Sequence, residues 1–109
     1  MKKPLKLLVI GGVAAGTKGA AKARRDNPSM EITVITDEPY VSYAGCGLAY
    51  YIGGVVDNRD KLFARSPEAF REKQQITILT RHRAERINTY DRMVNVTNLT
   101  TGISHDMPY

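Results

Sequence analysis

Hydrophobic and polar positions divide the first third of the chain into a strand, a helix and a second strand. Leu5 to Ile10 is an apolar run, broken at Lys6 and β-branched at its end, as expected for a strand covered on both faces. Ala14 to Asn27 then reads as a helix: Gly16, Gly19, Ala20 and Ala23 form a small-residue face suited to lying on a sheet, and Asn27-Pro28 stops it. Glu31 to Thr36 is a second apolar, β-branched segment. A strand, turn, helix and strand in this compass make a parallel crossover unit, so the expected fold class is α/β.

Beyond Pro39 the pattern shortens. Gly45 to Ile52 predicts a short helix ended by Gly53-Gly54, and Ser66-Pro67-Glu68 carries a cap, a first-turn proline and an early acid for a helix running to about Gln75. Ile76 to Leu79, Arg83 to Ile87 and Met93 to Leu99 read as strands, the last two joined by a turn at Asn88 to Asp91 in a small β-meander. Thr101-Gly102 makes a further turn before Tyr109. No linker or repeat divides the 109 residues, which read as one domain.

Composition, 42% hydrophobic and 25% charged, is that of a globular protein rather than a disordered or fibrous one. The net charge of +5 is uneven: the first 25 residues hold seven Lys or Arg and no acid. Lys18, Lys22 and Arg25 fall at i, i+4 and i+7 and share one helical face, which is either a solvated surface or a seat for an anionic group. Nucleic acid is not the expected anion, because the cluster lacks interleaved aromatics and a nucleic-acid motif. Lys2, Lys3 and Lys6 followed by Leu7 to Val13 imitate a secretory leader, but the apolar run is short, is broken at Gly11-Gly12 and enters a helix directly. No run approaches membrane-spanning length, and neither a membrane nor a metal site is expected.

Cys46 is the only cysteine. It excludes an internal disulfide and fits a reducing, cytoplasmic compartment. Free cysteines commonly serve as small buried hydrophobes. Here Gly45 and Gly47 leave the sulfur open to a close-approaching ligand, and Ser42 is a candidate N-cap that puts Cys46 in a first helical turn, where the dipole favours the reactive thiolate. A lone redox sulfur must pair with one from outside the chain or cycle through an oxygenated or persulfide state.

Gly11-Gly12-Val13-Ala14-Ala15-Gly16 lies between the first strand and the helix. In the dinucleotide fingerprint the first glycine makes the tight turn, the second admits the pyrophosphate and the third lets helix and strand pack closely; the second is replaced here by Val13. The helix N-terminus offers unpaired N–H groups to a phosphate. The acid that binds the ribose hydroxyls belongs at the end of the second strand, where Thr36 stands with Asp37 next to it. Asp37 is the expected ribose ligand, with Thr36 as the alternative register.

VIGGVAAG, AKARR and YVSYAGCGLAYYIGG together resemble the N-terminal, FAD-binding part of the pyridine nucleotide-disulfide oxidoreductases. Within that family they resemble the single-cysteine branch of coenzyme A-disulfide reductases, NADH-dependent persulfide or polysulfide reductases, and NADH oxidases and peroxidases. The likeness continues through RDKLFARSPEAFREK to the closing DMPY. It implies a Rossmann-like FAD-binding domain in which Gly11, Gly12, Ala14, Ala15 and Gly16 cradle the pyrophosphate. It puts Ser42 and Cys46 beside the flavin, and Ala84 where backbone groups hold the adenine. It also matches Arg25 and Ser42 to positions that contact coenzyme A substrates, with Lys18 and Lys22 on the same helix face as Arg25.

The implied reaction passes hydride from NAD(P)H to FAD and electrons onward to Cys46, which attacks a coenzyme A disulfide, persulfide or polysulfide in a homo-oligomeric enzyme. Reduction of oxygen or peroxide through a sulfenic acid, and a non-catalytic nucleotide-binding or redox-sensing module, are the alternatives. The family commonly has Glu where Thr36 stands, Asn or Thr at Gly45 and Pro at Ala49. Its Ala-Thr-Gly strand, nicotinamide-binding domain and dimerisation domain have no counterpart here. Residues 1–109 are therefore expected to be a C-terminally truncated flavin domain, without turnover of their own, holding FAD weakly and self-associating through the strand edge left open beside Leu5 to Ile10.

Overall fold

A computed structural model describes residues 4–41, 52–54 and 66–109. The elements run β1 (Lys6–Ile10), α1 (Ala14–Asp26), β2 (Glu31–Ile35), α2 (Pro67–Gln74), β3 (Ile76–Leu79), β4 (His82–Asn88), β5 (Met93–Asn98) and β6 (Ser104–Pro108). The first three strands form a parallel sheet in the order β1-β2-β3, with Ile10 opposite Ile35 and Ile35 opposite Leu79. The last three form an antiparallel meander. The α/β, Rossmann-like expectation holds, and the helix expected over Gly45 to Ile52 lies almost wholly outside the described residues.

Alternation along the parallel strands sorts side chains into two cores. Ile32, Val34 and Ile76 are buried with Ala20 of α1, Phe70 of α2 and Val41, and Leu7, Val9 and Ile78 pack against them. The intervening positions Leu8, Ile35 and Leu79 meet Val94, Val96, Ala84 and Met107 of the meander. Helices therefore cover one face of the sheet and the meander the other, which is why the first strand reads as apolar from Leu7 to Ile10.

α1 buries Thr17 and Ala20, while Gly19 is exposed and a Cβ built there would meet nothing within 4 Å. Gly19 is thus not part of the packing face expected for it; at 3.6 residues per turn the buried stripe runs through Thr17, Ala20 and Ala23. Ser66 caps α2 as expected, its hydroxyl accepting from the Ala69 N–H at 3.2 Å, and Gln75 closes the helix in the left-handed conformation at φ 50°. Arg24 ties the two helices together: its guanidinium donates to the carbonyls of Gln74 (2.9 Å), Gln75 (2.9 Å) and Pro28 (2.8 Å).

The meander contains a strand that the sequence pattern does not announce. β6 is polar and largely exposed, and it is held by backbone pairing to β5 and by two cross-strand contacts, Thr97 to Ser104 (2.7 Å) and Asn95 to Asp106 (3.2 Å). β4 carries a register shift between Ala84 and Arg86. The Asn88 side-chain oxygen accepts from the N–H groups of Tyr90 and Asp91, both at 3.1 Å, closing the turn expected there.

Candidate functional site

The turn after β1 is shaped by two glycines that need to be glycine. Gly11 has φ +113°, a conformation L side chains rarely adopt, and its N–H donates to the Ile35 carbonyl at 2.8 Å, joining the turn to the end of β2. A Cβ on Gly16 would collide with the Gly11 carbonyl oxygen and stand 3.2 Å from Val9 Cγ1, so α1 lies on β1 only because position 16 has no side chain. Gly12 is buried, and a Cβ there would press at 3.1 Å on Thr36 and Val41.

Val13 is the N-cap of α1, and Ala14 and Ala15 begin its first turn. No side chain caps this end and no acid stands in its first turn. No carboxylate of its own first turn therefore counters the first N–H groups and the positive end of the helix dipole, and the arrangement suits an anionic ligand.

Beside this turn, at the C-terminal ends of β1 and β2, lies a cleft of about 150 Å³. Ile10, Gly11 and Ile35 form one part of its lining; Thr36, Asp37, His82, Arg83 and Ala84 complete it. The chain builds it by clamping the segment after β2 onto the start of β4. Thr36 N–H donates to the Leu79 carbonyl (3.0 Å), His82 N–H to the Thr36 carbonyl (2.9 Å) and Arg81 N–H to the Glu38 carbonyl (3.1 Å). Gly11, Asp37 and Ala84, far apart in sequence, line one cavity.

Thr36 is buried and its hydroxyl accepts from the Glu38 N–H at 3.3 Å, whereas Asp37 is exposed and lies 3.8 Å from Arg83 Nε across the cleft. Arg83 and His82 are cleft residues that sequence reasoning missed; a strand was expected only from Arg83 to Ile87, and the meeting of both residues with Asp37 depends on where β4 docks. A larger hollow of about 290 Å³, lined by Arg86, Asp91 and Asp106 among others, opens on the meander and contains none of the residues singled out from sequence.

Lys18, Lys22 and Arg25 are all exposed on the side of α1 away from Thr17 and Ala20. Lys22 is engaged: its ammonium lies 2.8 Å from both oxygens of Asp26, an i,i+4 pair that offsets part of the stripe's charge. Ser42 and Cys46 lie outside the described residues, so their relation to the cleft and to the stripe is not part of this geometry. Among the described residues no helix is long and apolar enough to cross a membrane.

Comparison with known proteins places this geometry in a family. Residues 5–109 match the family described as pyridine nucleotide-disulphide oxidoreductase. The coenzyme A disulfide reductase of Staphylococcus haemolyticus is 36% identical over 104 residues, which is 95% of this chain and 24% of that protein. Among solved structures, the reduced CoADR-RHD of Bacillus anthracis superposes with a TM-score of 0.94 at 34% identity, covering 97% of this chain and 19% of that one. The NAD-dependent persulfide reductase from A. fulgidus gives 0.91 at 33% identity, covering 96% and 20%. The chain thus spans about a quarter or less of the relatives it matches, and with a family match running from Leu5 to its last residue it belongs to the pyridine nucleotide-disulphide oxidoreductases.

Proposed function

We propose that these residues are the FAD-binding part of an NAD(P)H-dependent oxidoreductase that reduces coenzyme A disulfide, a persulfide or a polysulfide through Cys46. The observation that carries the reading is the meeting of Gly11, Asp37 and Ala84 around one cleft beside an uncapped helix N-terminus. That combination suits the adenosine end of a dinucleotide continuing into a pyrophosphate. In this reading Gly11, Gly12, Ala14, Ala15 and Gly16 present backbone to the phosphates, Asp37 accepts from the ribose hydroxyls, and the backbone at Ala84 meets the adenine. The nicotinamide-binding and dimerisation parts belong to a longer enzyme, in keeping with the quarter of the Staphylococcus haemolyticus relative that the chain covers.

When bound, FAD supplies the passage of two electrons from NAD(P)H to sulfur. The Cys46 thiolate attacks one sulfur of the substrate, the substrate S–S bond breaks, one thiolate leaves and Cys46 is held in a mixed disulfide. Two electrons and a proton then release the second thiol and restore Cys46. Lys18 and Arg25 attract the phosphates of a coenzyme A substrate, with Lys22 sharing its charge with Asp26.

NADH-driven release of thiols from coenzyme A disulfide by the full-length protein tests the proposal. Cys46→Ser should retain stoichiometric FAD and lose turnover. Unchanged turnover in this variant, or a wild-type protein without flavin, would overturn it.

A further inference from the structure

We infer that the hollow on the outer face of the meander is a binding site for a small zwitterion, an α-amino acid with an uncharged side chain, whose carboxylate meets Arg86 and whose ammonium meets Asp91 and Asp106. The hollow holds about 290 Å³ and is lined by Arg86, Asn88, Asp91, Met93, Asn95 and Asp106. It lies at the far end of β4 from the cleft, on the side of the meander opposite Val94, Val96 and Met107, which face the core. Strand pairing places its charges: Asn95 of β5 stands between Arg86 of β4 and Asp106 of β6. The register shift in β4 decides their sign. Ala84 pairs with Val96 and Arg86 with Asn95, so Glu85 is the extra residue; in an unshifted ladder Glu85 would stand opposite Asn95 and the charged groups around the hollow would all be acids.

Opposite charges share this hollow without neutralising each other. The Asn88 amide donates to Asp91 Oδ2 at 3.1 Å, and the Asn95 amide donates to Asp106 Oδ1 at 3.2 Å. Asn88 is itself fixed by the turn, its oxygen accepting from the N–H groups of Tyr90 and Asp91. Each carboxylate is thus held by an amide beside Arg86 rather than by Arg86, which among the described residues enters no ion pair. A ligand with a single charge would answer one side of the hollow and be repelled by the other, whereas a zwitterion answers both. The guanidinium takes a carboxylate through two parallel N–H donors, and the aspartates accept from an ammonium. Met93, the apolar residue of the lining, offers contact to an uncharged side chain. A volume just under the roughly 300–1,000 Å³ typical of small-molecule pockets suits a ligand smaller than a nucleotide. A metal ion is a poor fit beside a guanidinium, and no group of three metal-ligating side chains stands among the described residues.

The test is calorimetric titration of the full-length protein with L-alanine, L-leucine and L-methionine. At least one should bind saturably, and its N-acetyl and methyl ester derivatives, each lacking one charge, should bind about tenfold or more weakly, the value of a charge-assisted hydrogen bond. Arg86→Gln should remove the preference for the free acid over the ester, and the double substitution Asp91→Asn with Asp106→Asn the preference for the free amine over the N-acetyl form. Flavin content should be unchanged in both variants, since the hollow shares no residue with the cleft. Absence of saturable binding by all three amino acids at millimolar concentration overturns the inference, as does equal binding of the N-acetyl or ester form by wild type; neither outcome depends on a variant folding. Binding that both variants leave unaltered lies elsewhere on the protein and overturns it too.

Discussion

The carbonyl oxygen of Gly11 occupies the space into which any side chain at Gly16 would project. The turn that opens toward the cleft and the helix that begins beside it are thus packed through one backbone-to-backbone contact. Gly12 is different in kind, since its neighbours are the side chains of Thr36 and Val41, which can shift.

Three glycine-to-alanine substitutions should therefore rank in a fixed order. Gly16→Ala forces backbone apart and should destabilise by about 1–3 kcal/mol or more, Gly12→Ala by less, and Gly19→Ala should stabilise by about 0.5–1 kcal/mol because its Cβ meets nothing and alanine is the better helix former. Urea denaturation of the three variants checks the order, and a Gly16→Ala protein as stable as wild type would refute the packing argument.

Asp37 and Arg83 should separate binding from stability. Arg83→Ala removes a half-exposed ion pair and should change stability by under about 1 kcal/mol. Asp37→Ala removes the expected ribose acceptor and should weaken FAD about tenfold. Calorimetric titration of flavin-stripped protein reads the second effect; undiminished affinity would return the ribose role to Thr36 or to no side chain at all.

Arg24 makes contacts that lysine cannot copy, since one planar guanidinium reaches the carbonyls of Gln74, Gln75 and Pro28 together. Arg24→Ala and Arg24→Lys should both cost about 1–3 kcal/mol, with faster amide exchange at the end of α2. Wild-type exchange in the Lys variant would mean that charge alone suffices.

β1 pairs with β2 on one side only among the described residues, and Leu5 just before it and Ile10 at its end are 64% and 51% exposed. Residues 1–109 expressed alone should self-associate and hold little flavin, because an open apolar strand edge templates pairing with another chain. Sedimentation of a yellow, fully loaded monomer would count against this.

The parallel half of the fold was legible because its strands are apolar, β-branched runs of the kind covered on both faces, and α2 because Ser66, Pro67 and Glu68 stand in cap order. β6 was not, since Ser104–Pro108 has no apolar rhythm and exists as a strand through pairing with β5. Gly19 misled because a small residue on a helix looks alike whether it faces a sheet or solvent. At the cleft, Gly11, Asp37 and Ala84 were nameable from spacing and resemblance, but His82 and Arg83 join them only through the docking of β4 onto the segment after β2. No local pattern encodes that.

Val41 and Phe70 are buried in the same cluster over the helical face of the sheet. The chain between them, Cys46 included, thus runs between two fixed points of one core. A substitution that empties either position is therefore expected to loosen both ends of that stretch at once, because Val41 and Phe70 share one set of apolar neighbours across a gap in sequence.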